Sequence, residues 1–210
     1  PVHADFRAIV AAHRSSASAS AYVKRFRTKR IYCLARTARH IATYGEVNSA
    51  LRFHAGALKE SVPEVRLMHL ARDGRDVVRS IMNRGHYTGD GVGHHSIVPL
   101  ITDRLFEQWE DLSRFEKVCW MWADGNRRVR EHVASPIRLE DLTSDYAYFR
   151  ENVTEPLNIA VNPDTWLEAI RTPVNATRHY CIPHWTEWGP ALAESFWTIC
   201  GSEMAALGYA

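Results

Sequence analysis

The stretch Val65-Arg66-Leu67-Met68-His69-Leu70-Ala71-Arg72-Asp73-Gly74-Arg75-Asp76-Val77-Val78-Arg79-Ser80 joins an apolar run to a helical pattern. Its first part follows a proline and predicts a short buried strand, which Gly74 ends. The residues after that glycine, up to Gly85, have apolar positions at helical spacing and predict a helix. This strand-turn-helix places Arg72 at the carboxyl end of the strand and Ser80 on the helix, away from its apolar arc.

Arg72 and Ser80 are the candidate ligand-binding residues of this stretch. Ligands of open α/β sheets bind at the carboxyl ends of the strands. A guanidinium and a hydroxyl beside a helix N-terminus suit a phosphate group. The alternative is that Arg72 and Arg75 only pair with the neighbouring carboxylates of Asp73 and Asp76. The pattern alone leaves both interpretations open.

Several segments further along the chain extend the pattern. They are an acidic segment (Tyr44–Ser49), an aromatic and basic helix (Trp120–Arg128), a late strand with an acidic turn (Ile137–Leu142), Trp185, and the ending Leu207–Tyr209. In this order they resemble the sulfotransferases that use 3′-phosphoadenosine 5′-phosphosulfate (PAPS). In that family an Arg ends a strand and a Ser lies eight positions later, as Arg72 and Ser80 do here. The resemblance runs from about Tyr44 to the end of the chain.

The resemblance implies an α/β fold with a P-loop-type parallel sheet flanked by helices, in a single domain over residues 1–210. The family opens with a strand and a Gly-rich loop whose backbone N–H groups cradle the 5′-phosphosulfate. Neither is found here, because Arg14-Ser15-Ser16-Ala17-Ser18 has no glycine and no apolar strand before it. Since the chain also begins with Pro1, we expect it to be incomplete at the N-terminus. We expect such a chain to transfer sulfate poorly by itself.

The cofactor implied by the resemblance is PAPS, or its product 3′-phosphoadenosine 5′-phosphate (PAP), with no metal ion. Arg72 and Ser80 are expected to bind the 3′-phosphate, and Arg75 and Arg178 are further cofactor-binding candidates. The acceptor would be a hydroxyl or amine of a small molecule, carbohydrate or peptide. Because sulfuryl transfer resembles phosphoryl transfer, positioning and cationic stabilisation carry most of the catalysis.

Glu46 is the first candidate for the catalytic base. An acceptor hydroxyl must lose its proton during transfer, which calls for a carboxylate or a histidine. In branches of the family that use a carboxylate, the acidic residue follows a strand, as Glu46 is predicted to do. The alternative is that Glu46 pairs with Arg72 or Arg75 and only braces the site. The reserve candidates for the base are His86, His94 and His95.

Composition excludes several classes of function. The formal net charge is only +2, which argues against a protein that coats nucleic acid. No apolar run approaches the ~20 residues needed to cross a bilayer, and no signal peptide is visible. We therefore expect no membrane segment and a cytoplasmic location. The four cysteines are widely spaced without a Cys-x-x-Cys pair, which argues against a zinc site, and Cys119 and Cys200 are expected to be buried thiols.

The remaining patterns predict strands that alternate with helices, as in an α/β layered domain. Two helices with a Ser-rich break near residues 15–20 are expected before residue 40, and the second carries the basic run Lys24–Arg30. That run is either a solvated face or an edge that meets an acidic acceptor or cofactor. Two further strands are predicted, at Ile41–Tyr44 and at Ile137–Leu139. Helices are predicted after a cap at Asn48 or Ser49, over Thr102–Val133 as one long helix or two, and from Gly189-Pro190 to Gly208. The segment His86–His95 is predicted to be a loop that either covers a site or only links elements.

Two other functions stay open at this point. One is a kinase-like P-loop enzyme, although the spacing of Arg72 and Ser80 favours PAPS. The other is a non-catalytic module that binds a nucleotide or a partner. The DNA upstream of Pro1 would separate them, because a strand followed by a Gly-rich Arg-Ser-Gly-Thr loop supports the enzyme, whereas a start codon there supports the module.

Overall fold

The computed structural model describes residues 6–37, 44–88, 97–171 and 179–209. The chain is mostly helical and contains a two-stranded parallel sheet. It divides into two compact units, Pro1–Leu67 with Gly93–Glu110, and Met68–Val92 with Asp111–Ala210. The small parallel sheet is consistent with the α/β class, while the P-loop-type sheet and the single domain stay predictions.

The first unit is helical in the residues described. Its elements are α1 (Phe6–Arg14), α2 (Ser16–Tyr22), a π-helical turn (Val23–Arg27), α3 (Thr28–Thr37), a 3-10 turn (Ser49–Phe53) and α4 (Ala55–Ser61). The predicted Ser-rich break is narrower than expected, because Ser15 alone interrupts the helix and caps α2 by accepting a hydrogen bond from the Ser18 N–H. Asn48 caps the 3-10 turn as predicted. Of the predicted strand near residue 44, only Tyr44 lies within the described residues, and it is not in a strand.

The second unit contains the sheet and the long helices. Its elements are β1 (His69–Ala71), α5 (Gly74–Met82), α6 (Arg114–Arg130), β2 (Pro136–Arg138), α7 (Leu139–Ser144), α8 (Tyr146–Phe149), a π-helical turn (Arg150–Thr154), α9 (Glu155–Leu157), α10 (Pro163–Arg171), a 3-10 turn (Trp185–Glu187) and α11 (Pro190–Ala206). The strand expected from Val65 begins only at His69, and the second strand lies one residue earlier than predicted. The last helix starts at Pro190 and ends before Gly208, whose φ of 78° is a left-handed value that suits glycine.

The long helix predicted over Thr102–Val133 is shorter in the structure. It begins at Arg114 because Ser113 and Glu116 form a capping box, in which each side chain accepts a hydrogen bond from the other residue's backbone N–H. The hydrogen bond from Ser113 lowers the pKa of Glu116. The residues before the cap form turns instead of continuing the helix.

Helix α6 forms the centre of the second unit and packs against α5 and α11. Its aromatic residues Trp120 and Trp122 are buried, as are Cys119 and Cys200, which are free thiols as predicted. Burial raises the pKa of the Cys119 thiol. At the far end of α6, Arg130 binds the buried Glu203 of α11 through two hydrogen bonds of 2.7 and 2.8 Å.

His69 is buried in β1 and is held as a neutral ring. The Asn126 amide nitrogen donates to the Trp122 carbonyl, so its oxygen faces the His69 Nε2 at 2.9 Å, and we assign the ring proton to Nε2. Nδ1 is buried without a hydrogen-bond partner in the described part of the chain. Desolvation by this burial lowers the pKa of His69, outweighing the hydrogen bond to Asn126 and the nearby Glu203, which raise it.

This environment predicts acid sensitivity. The pKa of His69 in the folded chain lies below its unfolded value of about 6.5. Below that pH the unfolded chain binds a proton at His69 that the folded chain does not bind, so stability falls as the pH decreases. The free energy of unfolding should therefore fall between pH 7 and pH 5, by at most about 1.4 kcal/mol per pH unit from this one group, and the melting temperature should decrease with it. His69→Gln should flatten this slope, and His179→Gln, at an exposed position, should not. An equal slope in the wild type and His69→Gln would contradict the assignment.

Candidate active site at the carboxyl edge of the sheet

The two strands run in parallel and end side by side. His69 pairs with Pro136 and Ala71 with Arg138, so the residues that follow the strands meet at one edge. Both strands lead into helices there, β1 into α5 and β2 into α7. This is the edge at which α/β sheets bind ligands.

Arg72 leaves this edge with its side chain partly exposed. Its guanidinium lies 3.6 Å from the carboxylate of Asp76 in the first turn of α5. Ser80 is partly exposed and lies four residues after Asp76, so the two occupy the same face of the helix. Arg72 therefore lies beside the face of α5 that carries Asp76 and Ser80.

Arg75 is committed to a local pair. Asp73 caps α5 by accepting from the Arg75 backbone N–H at 2.8 Å, and its carboxylate also binds the Arg75 guanidinium at 2.5 Å. This hydrogen bond raises the pKa of Arg75. The guanidinium also stacks on the ring of Trp185, 4.1 Å from its centroid. The local pairing that the sequence left open is thus observed for both arginines, with Asp76 for Arg72 and Asp73 for Arg75.

A second carboxylate from the edge completes the cap of α5. Glu140, just after β2, accepts from the Asp73 backbone N–H at 3.0 Å and from the Tyr209 hydroxyl at 2.7 Å. Burial and the hydrogen bond to Glu140 raise the pKa of Tyr209. The Asp73 and Arg75 N–H groups both donate to carboxylates, and the candidate contacts for an anion at this edge stay the side chains of Arg72 and Ser80.

The sequence analysis did not predict the contacts of Glu140 with Asp73 and Tyr209, although one signal was available. Glu140 stands at the same register after β2 as the residues around Asp73 do after β1, and parallel strands bring such positions together. Arg138, the last residue of β2, also donates to the Gly208 carbonyl at 2.7 Å. Gly208 and Tyr209 are therefore hydrogen-bonded to residues at the sheet edge.

Gly74 allows α5 to pack directly against the core. A Cβ atom at this position would lie 2.9 Å from the Trp122 ring and 3.0 Å from the Met204 sulfur. The glycine that ends the predicted strand is therefore required by close packing of the helix start.

The segment after residue 178 lies along α5. Asn83 donates to the His179 carbonyl at 2.9 Å and accepts from the Cys181 N–H at 2.7 Å. Arg79 donates to the Ile182 carbonyl and lies 3.8 Å from the Tyr180 ring centroid. This attachment was not predicted from the sequence, and the candidate Arg178 itself lies outside the described residues.

The structure describes two of the four candidate bases, Glu46 and His86. Glu46, in the first unit, is exposed and accepts from the Tyr44 hydroxyl at 3.2 Å and the Asn48 amide at 2.9 Å. His86 follows α5, and its carbonyl accepts from Arg114 at 2.8 Å. His94 and His95 lie outside the described residues. Arg72 pairs with Asp76 and Arg75 with Asp73, and both roles of Glu46, as base or as brace, stay predictions.

Neither a metal-binding cluster nor a membrane-spanning helix is present in the described residues. They contain no group of three or more His, Cys, Asp or Glu side chains arranged to hold a metal ion. They also contain no helix with the length and apolarity to cross a membrane.

Comparison with known proteins gives no further assignment. No protein family matches the chain, and no curated protein or solved structure is significantly similar to it.

Proposed function

We propose that this chain binds the 3′-phosphate of PAPS or PAP at the carboxyl edge of its sheet, as part of a PAPS-dependent sulfotransferase. The observation that supports this most directly is the position of Arg72 at the end of β1, beside the face of α5 that carries its partner Asp76 and Ser80. A cation and a hydroxyl on one helix face, beside a sheet edge, provide charge-assisted and neutral donors for a phosphate group.

The ion pair with Asp76 does not prevent this role. The side chains of Arg72 and Asp76 are 46% and 36% exposed, and such exposed pairs contribute only ~0–1 kcal/mol. A hydrogen bond to a charged group is worth more, about 1.5–3 kcal/mol. A phosphate dianion can therefore displace Asp76 from Arg72.

Calorimetry on the unmodified chain tests the proposal. PAP should bind at least ~10-fold more tightly than adenosine 5′-phosphate, which lacks the 3′-phosphate, since one charge-assisted hydrogen bond accounts for that factor. Equal affinities would overturn the assignment. Tight PAP binding together with no sulfate transfer by a full-length protein that carries the Gly-rich loop would identify a nucleotide-binding module instead of an enzyme.

Asp76→Asn should strengthen PAP binding severalfold at low ionic strength. The change removes both the competing partner of Arg72 and a negative charge that repels the phosphate, and the gain should shrink as salt screens that charge. Asp164→Asn is the matched control, because Asp164 is also an acidic residue in the first turn of a helix, α10. Weaker or unchanged binding by Asp76→Asn would show that the phosphate does not lie at Arg72.

A further inference from the structure

Charge is distributed very unevenly along the chain. From Phe6 to Gly45 there are nine Lys and Arg residues and no Asp or Glu. From Glu46 to the end there are 17 Lys and Arg against 23 Asp and Glu, so the small net charge of the whole chain conceals a strongly basic first part. A concentrated positive field of this kind attracts anionic partners.

Part of this charge forms a linear stripe along the helical segment that contains α3. Arg25, Lys29, Tyr32 and Arg36 follow one another at intervals of four, three and four residues. Lys29, Tyr32 and Arg36 belong to α3, where at about 100° per residue they fall within an arc of roughly 60° and at 1.5 Å per residue they span about 10.5 Å, and Arg25 precedes them in the π-helical turn. We call these four residues the basic stripe.

The basic stripe is open to solvent. All four residues are exposed, and Tyr32 is 62% exposed. The Arg36 guanidinium lies 5.8 Å from the centroid of the Tyr32 ring, which confirms that these two side chains share a face. Neither Lys29 nor Arg36 has a carboxylate within ion-pairing distance in the described part of the chain. Their charges are available to a partner.

We propose that the basic stripe binds a linear acidic glycan, which would be the acceptor of the proposed transferase. The identification as acceptor rests on the proposed function, whereas the binding itself does not. Within α3 the cations Lys29 and Arg36 are separated by about 10.5 Å, wider than the ~3.4 Å between successive charges of a nucleic acid strand. A glycan with one acidic group per disaccharide carries sparser charge, supplies hydroxyls, and offers ring faces to an exposed tyrosine.

The test is fluorescence anisotropy with a labelled hyaluronan decasaccharide, which has one carboxylate per disaccharide. The wild type should bind it at low ionic strength, and the triple variant Arg25→Gln/Lys29→Gln/Arg36→Gln should bind at least ~10-fold more weakly, with a smaller dependence on salt. Neutral dextran should not bind. Failure of the wild type to bind hyaluronan, or equal binding by the triple variant, would overturn the proposal.

The control is a second triple variant with the same net charge, made at exposed arginines outside the basic stripe: Arg66→Gln/Arg84→Gln/Arg171→Gln. It should bind hyaluronan within about twofold of the wild type. Circular dichroism should show the same helix content in both triple variants. A single-stranded oligothymidylate that binds as tightly as hyaluronan would reject the glycan and indicate a nucleic acid.

PAP titration of the same proteins keeps the two proposals separate. The basic-stripe variant should bind PAP as the wild type does, because none of its positions belongs to the edge of the sheet. A wild type that binds hyaluronan but not PAP would reject the proposed function and leave the glycan surface in place. A wild type that binds PAP but not hyaluronan would reject the glycan surface and leave the proposed function in place.

Discussion

In a full-length protein that also carries the family's Gly-rich loop, Glu46→Gln should lower the turnover of sulfate transfer from PAPS by ~10²–10⁴-fold and leave PAP affinity nearly unchanged. The amide keeps the shape of the side chain and removes its capacity to take the acceptor proton. In the structure the carboxylate is exposed and is oriented by the Tyr44 hydroxyl and the Asn48 amide. Each carboxylate oxygen can accept more than one hydrogen bond, so these contacts leave room for an acceptor hydroxyl.

The measurement pairs turnover with PAP titration on the same variant. Turnover is followed as PAP formed from PAPS in the presence of 4-nitrophenol or hyaluronan oligosaccharide. Glu60→Gln is the control, because Glu60 is another exposed carboxylate of the same unit, on α4. Unchanged turnover in Glu46→Gln would move the role of base to His86, His94 or His95. A joint loss of PAP affinity and stability would instead identify Glu46 as a brace.

Arg72→Ala should weaken PAP binding by about 1.5–3 kcal/mol, which is roughly 10- to 150-fold. The guanidinium is partly exposed and lies at the end of β1, beside the face of α5 that carries Ser80. Ser80→Ala should cost less, about 0.5–1.5 kcal/mol, because a neutral hydroxyl makes a weaker hydrogen bond. Isothermal titration with PAP measures both effects.

Two comparisons make this prediction specific. Adenosine 5′-phosphate should bind Arg72→Ala and the wild type alike, because it has no 3′-phosphate to lose. Arg66→Ala removes an exposed arginine that precedes β1 and should leave PAP affinity within about twofold. If Arg72→Ala weakens both nucleotides equally, the arginine contacts the 5′-phosphate or the base, and the 3′-phosphate assignment is wrong.

The local elements at the candidate site could be predicted from the sequence. The apolar run ended by Gly74, and the helical spacing after it, predict β1 and α5, because burial of one face fixes the periodicity of each element. The cap by Asn48, the Pro190 start of the last helix and the burial of Cys119 and Cys200 follow from equally local rules. The family resemblance adds the proposed ligand, which no comparison with known proteins supports.

Only the tertiary structure decides which polar groups at the sheet edge are already bonded. The pairing of Asp73 with Glu140, and of Glu140 with Tyr209, joins residues more than sixty positions apart in the chain. Periodicity reports which face of one element is buried, and it carries no information about a partner from another element. For the same reason the sequence left open whether Arg72 and Arg75 pair with the neighbouring aspartates, whereas the folded chain shows both pairs and leaves Arg72 the more exposed of the two arginines.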